Sequence, residues 1–506
     1  MKRDGASKSL WQDGLKQYQP KSSIDKTKVY DVIIAGGGIT GITTGLLLQQ
    51  AGKTCAIVEA HAICFGTTGG TTAHLNTTFD TSYSQISKNF GDDAAKLLAQ
   101  SAKGAISLIK KNIHDYNIDC GFEETYACLY AEDEKQADVL KDIHDSANEA
   151  GVKITYTHSS PVPVPFKKAA RVDGQAKFHP TQYVYSIAGA FEKEGGTIVQ
   201  HCRVTNIQEN ETVLVETTAG NLLCRQFIYA THIPPGINLL HLRCAPYRSY
   251  AMAVRLKDGK YPGALAYDMD DPYHYYRTQR VHGKDYLIAG GEDHKTGHID
   301  DTEACFTKLE SYIRQYFKVE EIAFKWSSQY FEPADGLPYI GHLPGKPGNI
   351  FVATGFGGNG MIYSQIAAEV LTNIILQKED ERIKILDPNR IKPIAGFANF
   401  VKENADVAKE LVSSFFAGKK IDELSGLKNA EAKVVKFEGH TMAVYKDEKG
   451  MVHSVDPTCK HMKCGVVWNS AEKSWDCPCH GARYDMDGKV LTGPADRDLD
   501  VIKLHS

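Results

Sequence analysis

A chain of 506 residues with a formal net charge of −4 has room for roughly three domains of about 150 residues and lacks the broad basic field that nucleic acid requires. Its 42% hydrophobic and 24% charged content is that of a globular protein, and twelve cysteines over this length do not make a disulfide scaffold. Eight of them, from Cys55 to Cys305, follow no motif spacing and read as small buried hydrophobes, whereas Cys459, Cys464, Cys477 and Cys479 are clustered.

Residues 1–27 are polar and have no apolar stretch of the signal-peptide kind, so they read as an extended surface arm on a cytoplasmic protein. The sequence then runs "KVYDVIIA", "GGGITG", "ITTGLLLQQAG", "KTCAIVEA": strand, glycine turn, helix, strand. The uncharged run between Asp31 and Lys53 has the length of a membrane span, but its three consecutive glycines and β-branched start favour a β–α–β unit. Gly36, Gly38 and Gly41 form G-x-G-x-x-G between strand and helix. Gly36 serves the turn, Gly38 bares backbone to a pyrophosphate, and Gly41 allows close helix–sheet packing. Glu59 ends the second strand, where a carboxylate accepts hydrogen bonds from an adenosine ribose.

Amphipathic patterns predict helices over 92–114 and 132–150. Strands are expected in "GTIVQHCRV", "TVLVETT", "FIYAT" and "YAMAVRL", with a strand-rich insertion over 246–330. A second strand–glycine turn–helix unit covers 349–377. It is followed by an amphipathic helical stretch over 396–416 and then, from about residue 431, by short strands.

The stretch from about 29 to 377 resembles the D-amino-acid oxidase and glycine oxidase superfamily of flavoproteins. The resemblance rests on the glycine turn, on "GTTGGTTAH" (66–74), on "FIYAT" (227–231), and on "PADGLPYIG" followed by "ATGFGGNGM" (333–341 and 353–361). It implies FAD as cofactor. Thr67, Thr68 and His74 would then lie by the flavin, Ala230 on the adenosine side, and Gly355, Gly357, Gly358, Gly360 and Met361 against the ring and ribityl chain, with Val204 a further cofactor-binding candidate.

Near the C-terminus, Cys459-x-His461 is followed by Cys477-x-x-His480. The pattern resembles a Rieske domain, which implies a 2Fe–2S cluster with Cys459 and Cys477 on one iron and His461 and His480 on the other. A tetrahedral zinc site with the same four residues is the alternative. The resemblance further implies a disulfide between Cys464 and Cys479, buried if it is to persist in a reducing compartment. "GPA" (493–495) resembles the loop that shields the cluster, and Tyr484 offers a phenol to a cysteine sulfur. Ala482 stands where high-potential relatives usually carry Ser, and Lys463 where Gly is more usual. Fewer hydrogen bonds to sulfur predict an intermediate potential.

Together these resemblances imply an α/β (α+β) two-domain flavoprotein of glutathione-reductase/D-amino-acid-oxidase type with a small all-β Rieske domain. His74 departs from the Lys expected in the bacterial relatives of the glycine oxidases that carry a fused C-terminal Rieske module, which this chain resembles. The expected layout is an arm (1–27), an oxidoreductase domain (28–395), a helical linker (396–430) and a Rieske domain (431–506). Within the oxidoreductase domain, FAD-binding parts are expected at about 28–90, 170–235 and 330–380, and substrate-domain parts at 91–169 and 236–329. In such a fusion, two electrons from a C–H bond next to nitrogen reach the flavin together and leave singly through the cluster. An external carrier such as a ferredoxin or flavodoxin would receive them; the reverse flow and a pure electron-transfer role are chemically allowed. The small-molecule substrate is expected to be an amine or amino-acid-like. "YHYYR" (273–277) offers Tyr275 and Arg277 on one strand face, with Arg277 a candidate for a substrate carboxylate. "GGEDHKTG" (290–297) offers Glu292, His294 and Lys295. The candidate catalytic set is Tyr275, Arg277 and His294; no transmembrane segment is expected, and an oligomer is compatible with the reading.

Overall fold

The computed structural model describes residues 3–346, 348–391, 419–420, 426–437 and 439–503. Most of the expected helical linker, 396–430, lies outside the described residues.

Val29–Ala35 forms the central strand of the first sheet; its second half, Val32–Ala35, is apolar and buried, as expected where a strand is covered on both faces. It pairs in parallel with Gly220–Tyr229 on one side and Cys55–Val58 on the other. Thr197–Val199 and Ile350–Thr354 extend the parallel order outward, and Tyr339–His342 closes one edge antiparallel. The helix Ile39–Gln50 starts at Gly38 and crosses from the first strand to the second. The uncharged run is thus strand, turn and helix, and no helix among the described residues is long and apolar enough to cross a membrane.

A second, nine-stranded sheet is built around Cys244–Leu256, Lys284–Lys295 and Tyr275–Val281. Val319–Pro333 and Lys168–Lys177 also belong to it, although both run into segments expected on the FAD side. The expected helices appear as Asp92–Asp115 and Glu134–Glu149. Two more, Pro180–Lys193 and Glu303–Tyr316, were not anticipated; the latter lies inside the strand-rich insertion.

The C-terminal residues form two four-stranded sheets around a core that includes Cys459, Cys477, Trp475 and Tyr484. This domain packs directly on the flavoprotein-like body. Arg483 pairs with Asp476 and Asp4, Arg3 pairs with Glu472, and Arg248 approaches Asp476, all with nearly fully buried side chains. Arg3 and Asp4 belong to the N-terminal arm, so the arm is no surface strap. Leu10 and Trp11 are fully buried, and the Trp11 indole donates to the Thr71 carbonyl. Burying two aromatic and aliphatic side chains outweighs the arm's polar composition.

Candidate functional site

A long cavity runs between the two sheets. Gly36 and Gly38 form one part of its wall, with Glu59 beside them. Gly36 has a φ of 113°, and a side chain there would lie 2.3 Å from the Ala230 carbonyl oxygen. Glu59 accepts from the Gly37 and His61 backbone amides at 2.6 and 2.8 Å, and burial raises its carboxyl above the usual range. Val204 and Ala230 line the same end. Further along, Thr67, Thr68 and His74 contribute from one side, and Gly357, Gly358, Gly360 and Met361 from the other.

Two of the glycines play other parts. Gly41 does not line the cavity: a Cβ there would sit 2.0 Å from the Gly36 carbonyl oxygen, so it sets the helix against the turn. Gly355 has a φ of 73° and faces Cys244, Pro333 and Tyr339 rather than the cavity. The expectation that it approaches the flavin is corrected accordingly.

The second sheet forms the remaining wall. Tyr275 lines it, its hydroxyl 2.8 Å from that of Ser249. Arg277 shares the strand face with Tyr275, but its guanidinium donates to the carbonyls of Thr72, Ala73 and Phe178 and to Gln279. It is fully buried and does not line the cavity, so it braces the Thr72–Ala73 loop and is not placed to meet a substrate carboxylate. His294 is also displaced from the expected role: its Nε2 lies 3.0 Å from the Tyr250 hydroxyl and its Nδ1 2.9 Å from the Lys295 carbonyl, away from the cavity. His74 contacts the Tyr267 hydroxyl at 2.7 Å through Nδ1. Burial, with the charges of Arg277 and Lys177, holds its imidazole well below its usual pKa, so it is neutral.

Asp293 was passed over between Glu292 and His294. Arg248 pairs with His294 and Tyr250 with Gly291, so Glu292 and Asp293 together oppose the single residue Ser249. This bulge, with Glu292 at a φ of 57°, turns Asp293 into the cavity wall. Tyr330 donates to its Oδ2 at 2.9 Å, and burial pushes its carboxyl up to about 7. Strand alternation alone assigns the wrong residue here, because a bulge breaks the period of two.

In the C-terminal domain, the Cys459 and Cys477 thiols are hydrogen-bonded to one another and the His461 and His480 rings lie 4.9 Å apart, edge to face. Both imidazoles are held neutral by burial, at about 4 and about 3. Their Nδ1 atoms are buried without a hydrogen-bond partner among the described residues. Two adjacent thiols and two orphaned, neutral imidazole nitrogens fit a half-thiolate, half-imidazole iron pair. Cys464 and Cys479 are joined by a disulfide, nearly fully buried, whose sulfurs lie within 4.8 Å of the Cys477 sulfur. The Tyr484 hydroxyl is 3.3 Å from the Cys459 sulfur. Lys463 has a φ of 63°, which accounts for Gly being the more usual residue there.

The two sites meet. Leu491, Thr492, Gly493, Ala495 and Asp496 form part of the cavity wall. The Gln329 backbone carbonyl accepts from Thr67 at 3.0 Å inside the cavity, while its side-chain amide donates to the Gly481 carbonyl, next to His480, at 2.8 Å. His461 Nε2 lies 3.1 Å from both the Gly236 carbonyl and His241 Nδ1 of the flavoprotein-like body.

The sequence model of FAD dependent oxidoreductases, the D-amino-acid oxidase (DAO) group, matches residues 31–374, and that of the Rieske [2Fe-2S] domain matches 418–503. The chain is a member of the DAO family of FAD dependent oxidoreductases with a C-terminal Rieske domain; it carries FAD and a 2Fe–2S cluster. It is 32% identical over 477 residues to YhfW of Bacillus subtilis (strain 168), which is named for a Rieske 2Fe-2S iron-sulfur protein, covering 94% of this chain and 93% of that one. The gamma-glutamylputrescine oxidoreductase of Escherichia coli (strain K12) is 22% identical over 372 residues, 71% of this chain and 86% of its own. Among solved structures, glycine oxidase from Geobacillus kaustophilus shares the fold with a TM-score of 0.60 at 19% identity, covering 72% of this chain and 99% of that one.

Proposed function

We propose that the protein oxidises a C–N bond of an amine or amino-acid-like substrate and passes the electrons singly, through its Rieske cluster, to an external carrier of the ferredoxin or flavodoxin class. When bound, FAD supplies two-electron acceptance at the substrate and the cluster supplies one-electron transfer. The observation that carries the reading is Gln329, whose backbone holds a cavity residue and whose side chain holds the loop bearing His480. Packing the two centres against one another through buried hydrogen bonds serves transfer within the chain.

In this reading Gly36 and Gly38 receive the pyrophosphate, Glu59 the ribose, and Val204 and Ala230 the adenosine. Thr67, Thr68, His74, Gly357, Gly358, Gly360 and Met361 line the remainder of the dinucleotide. Cys459 and Cys477 would hold one iron, and His461 and His480 would hold the other through their unpartnered Nδ1 atoms. The Cys464–Cys479 bridge and residues 493–495 keep water from the cluster.

Anaerobic mixing of the holoprotein with a panel of amines and amino acids tests this. The flavin and cluster absorption should fade together, and added oxidised ferredoxin should then be reduced. A flavin that bleaches while the cluster stays oxidised would overturn the reading.

A further inference from the structure

The second-sheet end of the cavity is acidic and aromatic. Asp293 lines it with Oδ1 buried and without a hydrogen-bond partner among the described residues. Asp80 stands nearby, accepting from the Gly358 amide at 2.7 Å and from the Tyr273 hydroxyl at 3.3 Å. The rings of Tyr267, Tyr273, Tyr275 and Tyr330 line the same end.

The described basic side chains that line the cavity do not offset this. Arg203 and His61 contact each other at 3.2 Å on the Glu59 side. His232 is engaged by Thr67 at 3.3 Å, and His74 is neutral. His274 is a cation, raised to about 9 against its burial by hydrogen bonds to Asp268 and Glu292, but it does not line the cavity.

We infer that Asp293 receives the ammonium group of the substrate, and that this substrate is an amine with no carboxylate on the reacting carbon. The inference rests on the amine-oxidising reading above and narrows it. Tyrosine faces and a carboxylate suit an organic cation. A carboxylate on the same carbon would meet Asp293 at like charge, with Asp80 behind the Tyr273 and Gly358 wall, and no lysine or arginine among the described lining residues at that end would pair it. Asp293 also has a chemical task. Its free Oδ1 takes one proton from the ammonium: the N–H bond breaks, the O–H bond forms, and the nitrogen regains the lone pair that C–H oxidation needs.

The test uses the oxidised holoprotein and two ligands that differ only by the carboxylate, n-butylamine and norvaline, read by perturbation of flavin absorption and by the shift in melting temperature. n-Butylamine should bind at least tenfold more tightly than norvaline. Asp293→Asn should weaken n-butylamine roughly 10- to 100-fold, the scale of one charge-assisted hydrogen bond, and Asp293→Glu should weaken it less. Norvaline binding as tightly as n-butylamine, or full affinity in Asp293→Asn, overturns this inference and leaves amine oxidation standing. If neither ligand perturbs the flavin, and none of the wider amine and amino-acid panel bleaches it, both fall together.

Discussion

Asp293 and Tyr484 each take their chemistry from their surroundings. Burial first, with Asp80 adding like charge and the Ser249 and Tyr330 hydroxyls and His274 opposing, holds the Asp293 carboxyl near 7; Tyr273 and Tyr275 are its other titratable neighbours in the wall. A proton therefore competes with a bound ammonium below that pH. Affinity for n-butylamine should fall by up to about tenfold per unit as pH drops below 7 and should level off above it, and Asp293→Asn should abolish the slope. The same shift costs stability once the group ionises. The Asn variant should therefore gain melting temperature over the parent at pH 8 and gain less at pH 5. The Tyr484 hydroxyl lies against the Cys459 sulfur. Tyr484→Phe removes that contact and should lower the cluster's reduction potential, read by an EPR-monitored titration; an unchanged value would remove Tyr484 from the set of tuning groups.

Glycine turns and a bulge decide where whole elements can go. The helix Ile39–Gln50 lies so near the first turn that a Cβ on Gly41 would come within 2.0 Å of the Gly36 carbonyl. Gly41→Ala must push the helix away, at about 1–3 kcal/mol for overpacking. The expected result is protein purified with less than one flavin per chain, measured by absorbance against protein concentration. Arg277 acts at this scale too: by holding three loop carbonyls it keeps the Thr72–His74 segment at the cavity edge. The bulge at Glu292 and Asp293 lets one long strand serve both faces, with Asp293 toward the cavity and His294 toward Tyr250.

At the scale of the whole molecule, the Rieske domain is docked by buried polar contacts as well as by apolar packing. The Arg3, Asp4, Glu472, Asp476 and Arg483 network joins the arm to the C-terminal domain, and breaking one buried pair typically costs about 3–5 kcal/mol. Gln329 is one link between cavity and cluster. Gln329→Leu keeps the approximate volume and removes the amide donor to Gly481, while the Thr67 contact to the backbone persists. The flavin should still be reduced by substrate at close to the parental rate, while reduction of the cluster, followed by stopped-flow absorbance, should slow by tenfold or more. Equal slowing of both steps would make Gln329 a general structural residue.

Motif spacing carried the glycine turn, Glu59, and the Cys459, His461, Cys477 and His480 set, because each depends on residues close in sequence with a local geometric requirement. The same holds for Tyr275, which strand alternation and a tyrosine-rich stretch made visible. The fate of Arg277 was beyond such reading: a guanidinium on the right strand face can meet a ligand or a backbone loop, and only the approach of residues 72, 73 and 178 selects the loop. Asp293 was hidden by a bulge that depends on pairing with a strand some forty residues away, and the buried arm by partners more than four hundred residues distant. The sequence by itself therefore determined which cofactors the chain carries, since their cradles are local. The tertiary structure decided which side chains line the cavity and how the C-terminal domain packs against it, since burial and charge pairing at those points arise from segments that meet only on folding.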